Sequence, residues 1–142
     1  MSRRRMLVTG ANGFVGRALA TGFADLGWSV MALDQAFDSG WEDGGVRRIA
    51  SDLGKGVPDV VGDVDLVVHA AWVTTEPATL GVSGAAYASL NLQPLLAVLE
   101  FAGRTRPAAF VFLSSSGVFS PGDGAEGLLD THAPTGTSPS AA

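Results

Sequence analysis

With 142 residues, 46% of them hydrophobic, the chain is long enough to bury the core of one domain, which excludes wholesale disorder. Nine Lys and Arg against fourteen Asp and Glu leave a formal charge of −5, the wrong sign for a general nucleic-acid binder, and point to small-molecule work. The lack of cysteine excludes a disulfide framework, a thiol nucleophile and a thiolate metal site, and no apolar run reaches the roughly 18 residues of a membrane span.

In chain order, Arg3, Arg4 and Arg5 read as a solvated terminal tail. They mimic the charged start of a signal peptide, but the segment behind them carries Asn12, Arg17 and several glycines, so no apolar h-region forms and a cytoplasmic location is the default. Residues 5–10, RMLVTG, are a short apolar run closed by glycine and predict a strand. Residues 14–27, FVGRALATGFADLG, place Phe14, Leu19, Phe23 and Leu26 at mostly three- and four-residue steps and predict a helix. Residues 28–34, WSVMALD, predict the second strand, cut off by the polar, glycine-rich residues 35–45. Residues 46–53, VRRIASDL, form a weaker strand candidate, and residues 64–72, VDLVVHAAW, a clear one. Residues 87–106, YASLNLQPLLAVLEFAGRTR, suit a buried helix; Pro94 cannot donate to the carbonyl of Leu90, which predicts a kink or a helix start near Asn91. Residues 108–116, AAFVFLSSS, close the series as a strand, and from Gly117 onward Gly, Pro, Ser and Thr read as loop or disorder. Strands alternating with helices predict an α/β fold, a doubly wound parallel sheet with helices on both faces; near-continuous apolar strands predict that both faces are buried.

Gly10, Gly13 and Gly16 set G-x-x-G-x-x-G at the turn from the first predicted strand to the first predicted helix. A pyrophosphate needs close approach to backbone N–H groups at a helix N-terminus, where orphan donors and the helix dipole favour negative charge. One glycine permits the tight turn, the next admits the phosphate and the last lets the helix pack on the sheet. Alone, the triplet fits a plain strand-to-helix turn equally well; Asp34 adds weight. It closes the second strand about 20 residues beyond the glycines, where a carboxylate accepts hydrogen bonds from the adenosine ribose and repels a 2′-phosphate. No Arg or Lys stands between Asp34 and Arg47, which favours NAD over NADP as the cofactor.

VTGANGFVG (8–16), the Asp closing the next strand, SDL (51–53), HAA (69–71) and VFLSSSGVF (111–119), in this order, resemble the extended short-chain dehydrogenase/reductase family, the NAD-dependent epimerase/dehydratases of nucleotide sugars. The resemblance runs to about Phe119. It implies a Rossmann domain over residues 1–119, then a loop or disordered segment, 120–142, leading to a missing C-terminal portion. It further implies that Gly10, Gly13, Phe14 and Val15 line the pyrophosphate, with Asn12 and Gly16 in the same cofactor-binding turn, while Asp34 holds the adenosine ribose. Asp52 and Leu53 match the family's acidic–apolar pair at the adenine ring, and Ala70 and Ala71 the strand end passing under the nicotinamide-side ribose. Asn91 matches an Asn whose amide bonds backbone groups freed by a local kink; a helix N-cap is the other reading. Ser115, with Ser116 as the alternate, matches a Ser or Thr that bonds the reacting substrate oxygen, although Phe119 and Ser120 depart from the usual Tyr and Gly. His69 falls within an apolar strand at a position the family uses structurally, and with only two distant histidines no metal site is expected.

The family's chemistry also needs a Tyr as general base and, four residues later, a Lys whose charge lowers the Tyr pKa. The chain has one Tyr, Tyr87, and its single Lys is Lys55, so Y-x-x-x-K does not occur. Residues 128–142 resemble the segment leading into that Tyr. The expectation is therefore the N-terminal part of an NAD-dependent oxidoreductase or epimerase/dehydratase acting on a hydroxyl or carbonyl of a sugar or nucleotide sugar. The alternative is a noncatalytic NAD-binding or redox-sensing module. A sugar-like small molecule is the expected partner, not nucleic acid or membrane, and the leucines of residues 87–106 fit either a homodimer face or packing on the sheet.

Overall fold

Met6, Leu7, Val8 and Thr9 are fully buried in β1 (Arg5–Thr9), as a central strand covered on both faces requires. The computed structural model describes residues 3–41 and 44–114. The chain divides into two units, Met1–Phe112 and Leu113–Ala142, and every strand and helix of the sheet architecture belongs to the first. Ser115, Ser116 and the segment 120–142 lie outside the described residues.

Around β1 stand β2 (Ser29–Asp34), β3 (Val46–Ala50), β4 (Leu66–His69) and β5 (Ala109–Phe112), all parallel, in the order β3-β2-β1-β4-β5. α1 (Phe14–Asp25) joins β1 to β2; a short α2 (Pro77–Leu80) and the long α3 (Gly84–Thr105) join β4 to β5. The two-residue period of the strands sorts their side chains onto two cores. Met6, Val8, Val30, Ala32 and Val68 pack with Ala20, Leu19 and Phe23 of α1. Leu7, Leu33, Ile49 and Val67 pack with Val98 and Phe101 of α3. Helices therefore cover both faces of a doubly wound, Rossmann-type sheet. Among the described residues, no helix is long and apolar enough to cross a membrane.

Several sequence boundaries move. The weak candidate 46–53 contains a full five-residue ladder with β2, yet Arg47, Arg48 and Ala50 are exposed, as suits an edge strand guarded by charge. β4 stops at His69, short of the predicted Trp72. β5 departs from the expected burial on both faces, since Val111 and Phe112 are each 42% exposed. α3 begins at Gly84, where the Ser83 hydroxyl accepts from the Ala86 amide (3.2 Å), so a helix start or N-cap at Asn91 is incorrect. Asn91 lies in the helix interior, and α3 runs through Pro94 because Val98 and Phe101 anchor its second half in the core.

The chain lays down β1, β2 and β3 in one direction, then crosses to place β4 on the opposite side of β1. Loops leaving β1 and β4 at their carboxyl ends consequently diverge, and a crevice opens between them, the position where open α/β sheets take ligands.

Candidate functional site

The three glycines of the first turn have three separate surroundings. Gly10 leaves β1 at φ +66°, a conformation that favours glycine, and a Cβ on it would stand 2.6 Å from Ala71 Cα at the end of β4. The Gly13 amide donates to the Gly10 carbonyl (3.1 Å) and closes the turn, whereas a Cβ on Gly13 would meet only that same carbonyl oxygen, at 3.2 Å. Gly16 is buried, and its added Cβ would lie 2.1 Å from Gly10 O, so α1 rests directly on the turn. The first turn of α1 has neither a side-chain cap nor an acidic residue. Backbone donors there stay available to an anion.

Asp34 is fixed by the same turn. One carboxylate oxygen accepts the Asn12 amide (2.8 Å) and the other the Gln35 amide (2.7 Å). The Asn12 side-chain oxygen gathers Arg17 Nη2 and Trp41 Nε1, each at 2.9 Å, and the Asp38 amide at 3.4 Å. One residue thus ties the glycine turn to Asp34 through its main chain and to the loop after β2 through its side chain.

On the far wall, α3 clamps the chain leaving β4. Asn91, 2% exposed, accepts the Val73 amide on Oδ1 (2.6 Å), and its Nδ2 lies 3.4 Å from the Tyr87 carbonyl and 3.5 Å from that of Val73. The Tyr87 hydroxyl donates to the Val73 carbonyl as well. A buried amide with partners on a neighbouring loop explains why Asn is tolerated in mid-helix. Below it, His69 Nδ1 shares a hydrogen bond with Thr9 Oγ1 (2.7 Å), while Nε2 is buried without a partner among the described residues. Burial pushes the imidazole pKa down to about 4, so the ring is neutral at pH 7.

A cleft of about 250 Å³ lies between these walls. Of the cofactor residues expected from sequence, Gly10, Gly13, Asp34, Leu53, Ala70, Ala71 and Asn91 line it. Asn12 and Gly16 stand behind that wall as its supports. Phe14 is 94% exposed at the start of α1, Val15 is also exposed, and Asp52 accepts the Gly54 amide (2.9 Å) to cap a short 3₁₀ turn over Leu53–Lys55. Sequence reasoning missed Gln35, Ser51, Trp72, Val73, Leu90 and Pro94. Gln35, Ser51, Trp72 and Val73 follow strand ends, a usable signal; Leu90 and Pro94 lie within the predicted helix, and which of its faces meets the cleft is set by packing that the sequence pattern does not show. Among the described residues, no group of His, Asp and Glu is arranged to hold a metal ion.

A profile of the NAD dependent epimerase/dehydratase family matches residues 6–140. The chain belongs to that family. Comparison with curated proteins finds no match. Among solved structures, MoeE5 in complex with UDP-glucose and NAD is similar at 26% identity and a TM-score of 0.76, over 96% of this chain and 44% of that one. A UDP-galactose 4-epimerase is similar at 26% identity and TM-score 0.70, over 84% of this chain and 41% of its own. A mutated uronate dehydrogenase is similar at 28% identity and TM-score 0.66, over 82% and 41%. The chain spans less than half the length of each of these family structures.

Proposed function

We propose that the cleft between β1 and β4 is the berth of the family's dinucleotide, with NAD preferred to NADP, in an oxidoreductase or epimerase/dehydratase acting on a sugar or nucleotide sugar. The observation that carries this reading is the Asp34 carboxylate held at the cleft wall by the Asn12 amide, beside a turn whose Gly13 leaves room for a ligand. Gly10, Gly13 and the amides opening α1 at Phe14 and Val15 take the pyrophosphate, and Asn12 and Gly16 hold that turn in shape. Asp34 accepts the ribose hydroxyls and sets a negative charge against a 2′-phosphate. Leu53, on the turn that Asp52 caps, faces the adenine. Ala70 and Ala71 carry the second half of the dinucleotide, on a strand end that Asn91 holds through Val73. When bound, the dinucleotide supplies reversible two-electron redox chemistry. Ser115, or Ser116, contacts the substrate oxygen in this reading, a cytoplasmic setting belongs to it, and residues 1–119 act as its cofactor-binding domain. A homodimer formed through α3 is part of the proposal, supported by Leu92, Leu96 and Leu99, which are 50%, 62% and 44% exposed.

A second reading, a noncatalytic NAD-binding or redox-sensing module, uses the same cleft, and the bond from the Tyr87 hydroxyl to the Val73 carbonyl serves the clamp in either reading. Both readings need the berth. Calorimetric titration of NAD and NADP into the 142-residue chain tests it: NAD binds, NADP binds more weakly, and Asp34→Ala lowers NAD affinity about tenfold or more, the scale of charge-assisted hydrogen bonds. Absence of NAD binding, or affinity unmoved by Asp34→Ala, refutes the assignment.

A further inference from the structure

We infer that Arg17 and Asp38 form a second determinant of dinucleotide preference, in which Asp38 keeps the Arg17 guanidinium from serving a 2′-phosphate at the Asp34 position. The inference rests on the reading of the cleft as a dinucleotide berth. Arg17 projects from α1, yet its guanidinium ends at the loop after β2, where it pairs with Asp38 Oδ2, donates to Asn12 Oδ1 and lies 5.2 Å over the ring of Trp41. Asn12 joins this cation to the ribose carboxylate: its side chain accepts Arg17 Nη2 at 2.9 Å and its amide donates to Asp34 Oδ2 at 2.8 Å. A guanidinium tied through Asn12 to the carboxylate proposed for the ribose is the kind of group a 2′-phosphate would seek, because its planar fork matches phosphate oxygens bidentately.

Asp38, through Oδ2, takes Nη2, one arm of that fork. It stays ionised, since its hydrogen bond from Arg17 lowers its carboxyl below the usual range, and Gly40 N donates to its other oxygen at 3.0 Å. Gly40 borders the pair at ordinary contact distance: a Cβ on it would stand 3.4 Å from Asp38 Oδ1 and 3.8 Å from Arg17 Nη1. The side chains of Arg17 and Asp38 are nonetheless 35% and 54% exposed, and an ion pair so open to water is held weakly. The lock is therefore selective but removable.

The experiment titrates NAD and NADP into the wild-type chain and into Asp38→Asn, Arg17→Gln and the double variant, with tryptophan fluorescence confirming that each is folded. Asp38→Asn retains an oxygen to accept the Gly40 amide while removing the charge that holds Arg17. It raises the ratio of NADP to NAD affinity about tenfold, the value of one charge-assisted contact to phosphate. The double variant loses that gain. A ratio unmoved by Asp38→Asn, in a chain that binds NAD, overturns this inference and leaves the berth standing. A gain that survives in the double variant also overturns it, since relief of repulsion alone would then account for the change. Failure of the wild-type chain to bind either dinucleotide overturns both. Should Asp38→Asn unfold, Asp38→Ser provides the same comparison through a shorter hydroxyl cap.

Discussion

The first turn makes a prediction about two glycines on one helix. Gly16 and Gly22 both lie in α1, and replacing either with alanine adds one methyl group. At Gly16 the added carbon would lie 2.1 Å from Gly10 O, more than 1 Å inside ordinary contact, with Ala11 Cα at 2.8 Å. Nothing there yields cheaply, because the obstacle is backbone, the turn is tied to Asp34, and α1 is pinned to the sheet by Ala20, Leu19 and Phe23. Overpacking of this kind costs about 1–3 kcal/mol, and the better helix propensity of alanine returns up to about 1 kcal/mol. With backbone on the receiving side the upper part of the range applies, so Gly16→Ala destabilises the chain by about 2 kcal/mol. At Gly22 the carbon meets nothing within 4 Å, and only the propensity remains. Gly22→Ala therefore stabilises by about 0.5–1 kcal/mol. Urea unfolding at constant m-value reads both changes as opposite shifts of the midpoint. Equal shifts, or shifts of one sign, would refute the claim that α1 is seated on the carbonyl of Gly10.

Three further outcomes follow from the same geometry. Asn91→Ala leaves the Val73 amide without its acceptor and costs about 1–3 kcal/mol, with hydrogen exchange at Val73 accelerated while exchange in β1 follows only the global loss. Tyr87→Phe removes the hydroxyl that donates to the Val73 carbonyl and costs about 1 kcal/mol, readable in the unfolding midpoint; no change would show that the carbonyl is served otherwise. His69 has a folded pKa of about 4 against 6.5 unfolded, so the unfolded chain binds the extra proton between these values and stability falls as pH drops through that window. At about 1.4 kcal/mol per unit the full loss is roughly 3.5 kcal/mol, and His69→Gln flattens the dependence relative to wild type.

The central strands were legible because burial on both faces leaves an apolar signature that needs no tertiary information: Leu7, Val8, Val30 and Leu33 are covered from both sides. Edges carry less. β3 reads as polar through Arg47 and Arg48, yet backbone pairing to β2 makes it a strand regardless of which side chains it carries. The start of α3 was misplaced for a different reason. Gly84, Ala85 and Ala86 show no apolar rhythm, and the decisive signal is the hydroxyl of Ser83 ahead of them, whose capping bond offsets the poor propensity of Gly84 while Ala85 and Ala86 favour a helix. In sequence Asn91 reads as a boundary residue because an Asn near a proline is more familiar at a helix end than inside one.

The charge around Asp34 shows a harder limit. Scanning from Asp34 to Arg47 finds no cation, yet Arg17 reaches the same loop from α1, five residues after Asn12 and 21 before Asp38. Proximity along the chain is the wrong measure for a field that acts through space. Summed in space, the cluster of Asp34, Arg17 and Asp38 holds two carboxylates and one guanidinium, and the guanidinium is neutralised at contact by Asp38. Within that cluster Asp34 is left as the uncompensated charge on the cleft wall, the same sign that residue order alone suggests. In the proposed berth a preference for NAD would rest on two carboxylates acting differently, one facing the proposed ribose position and one pairing with the cation that would otherwise answer a phosphate there.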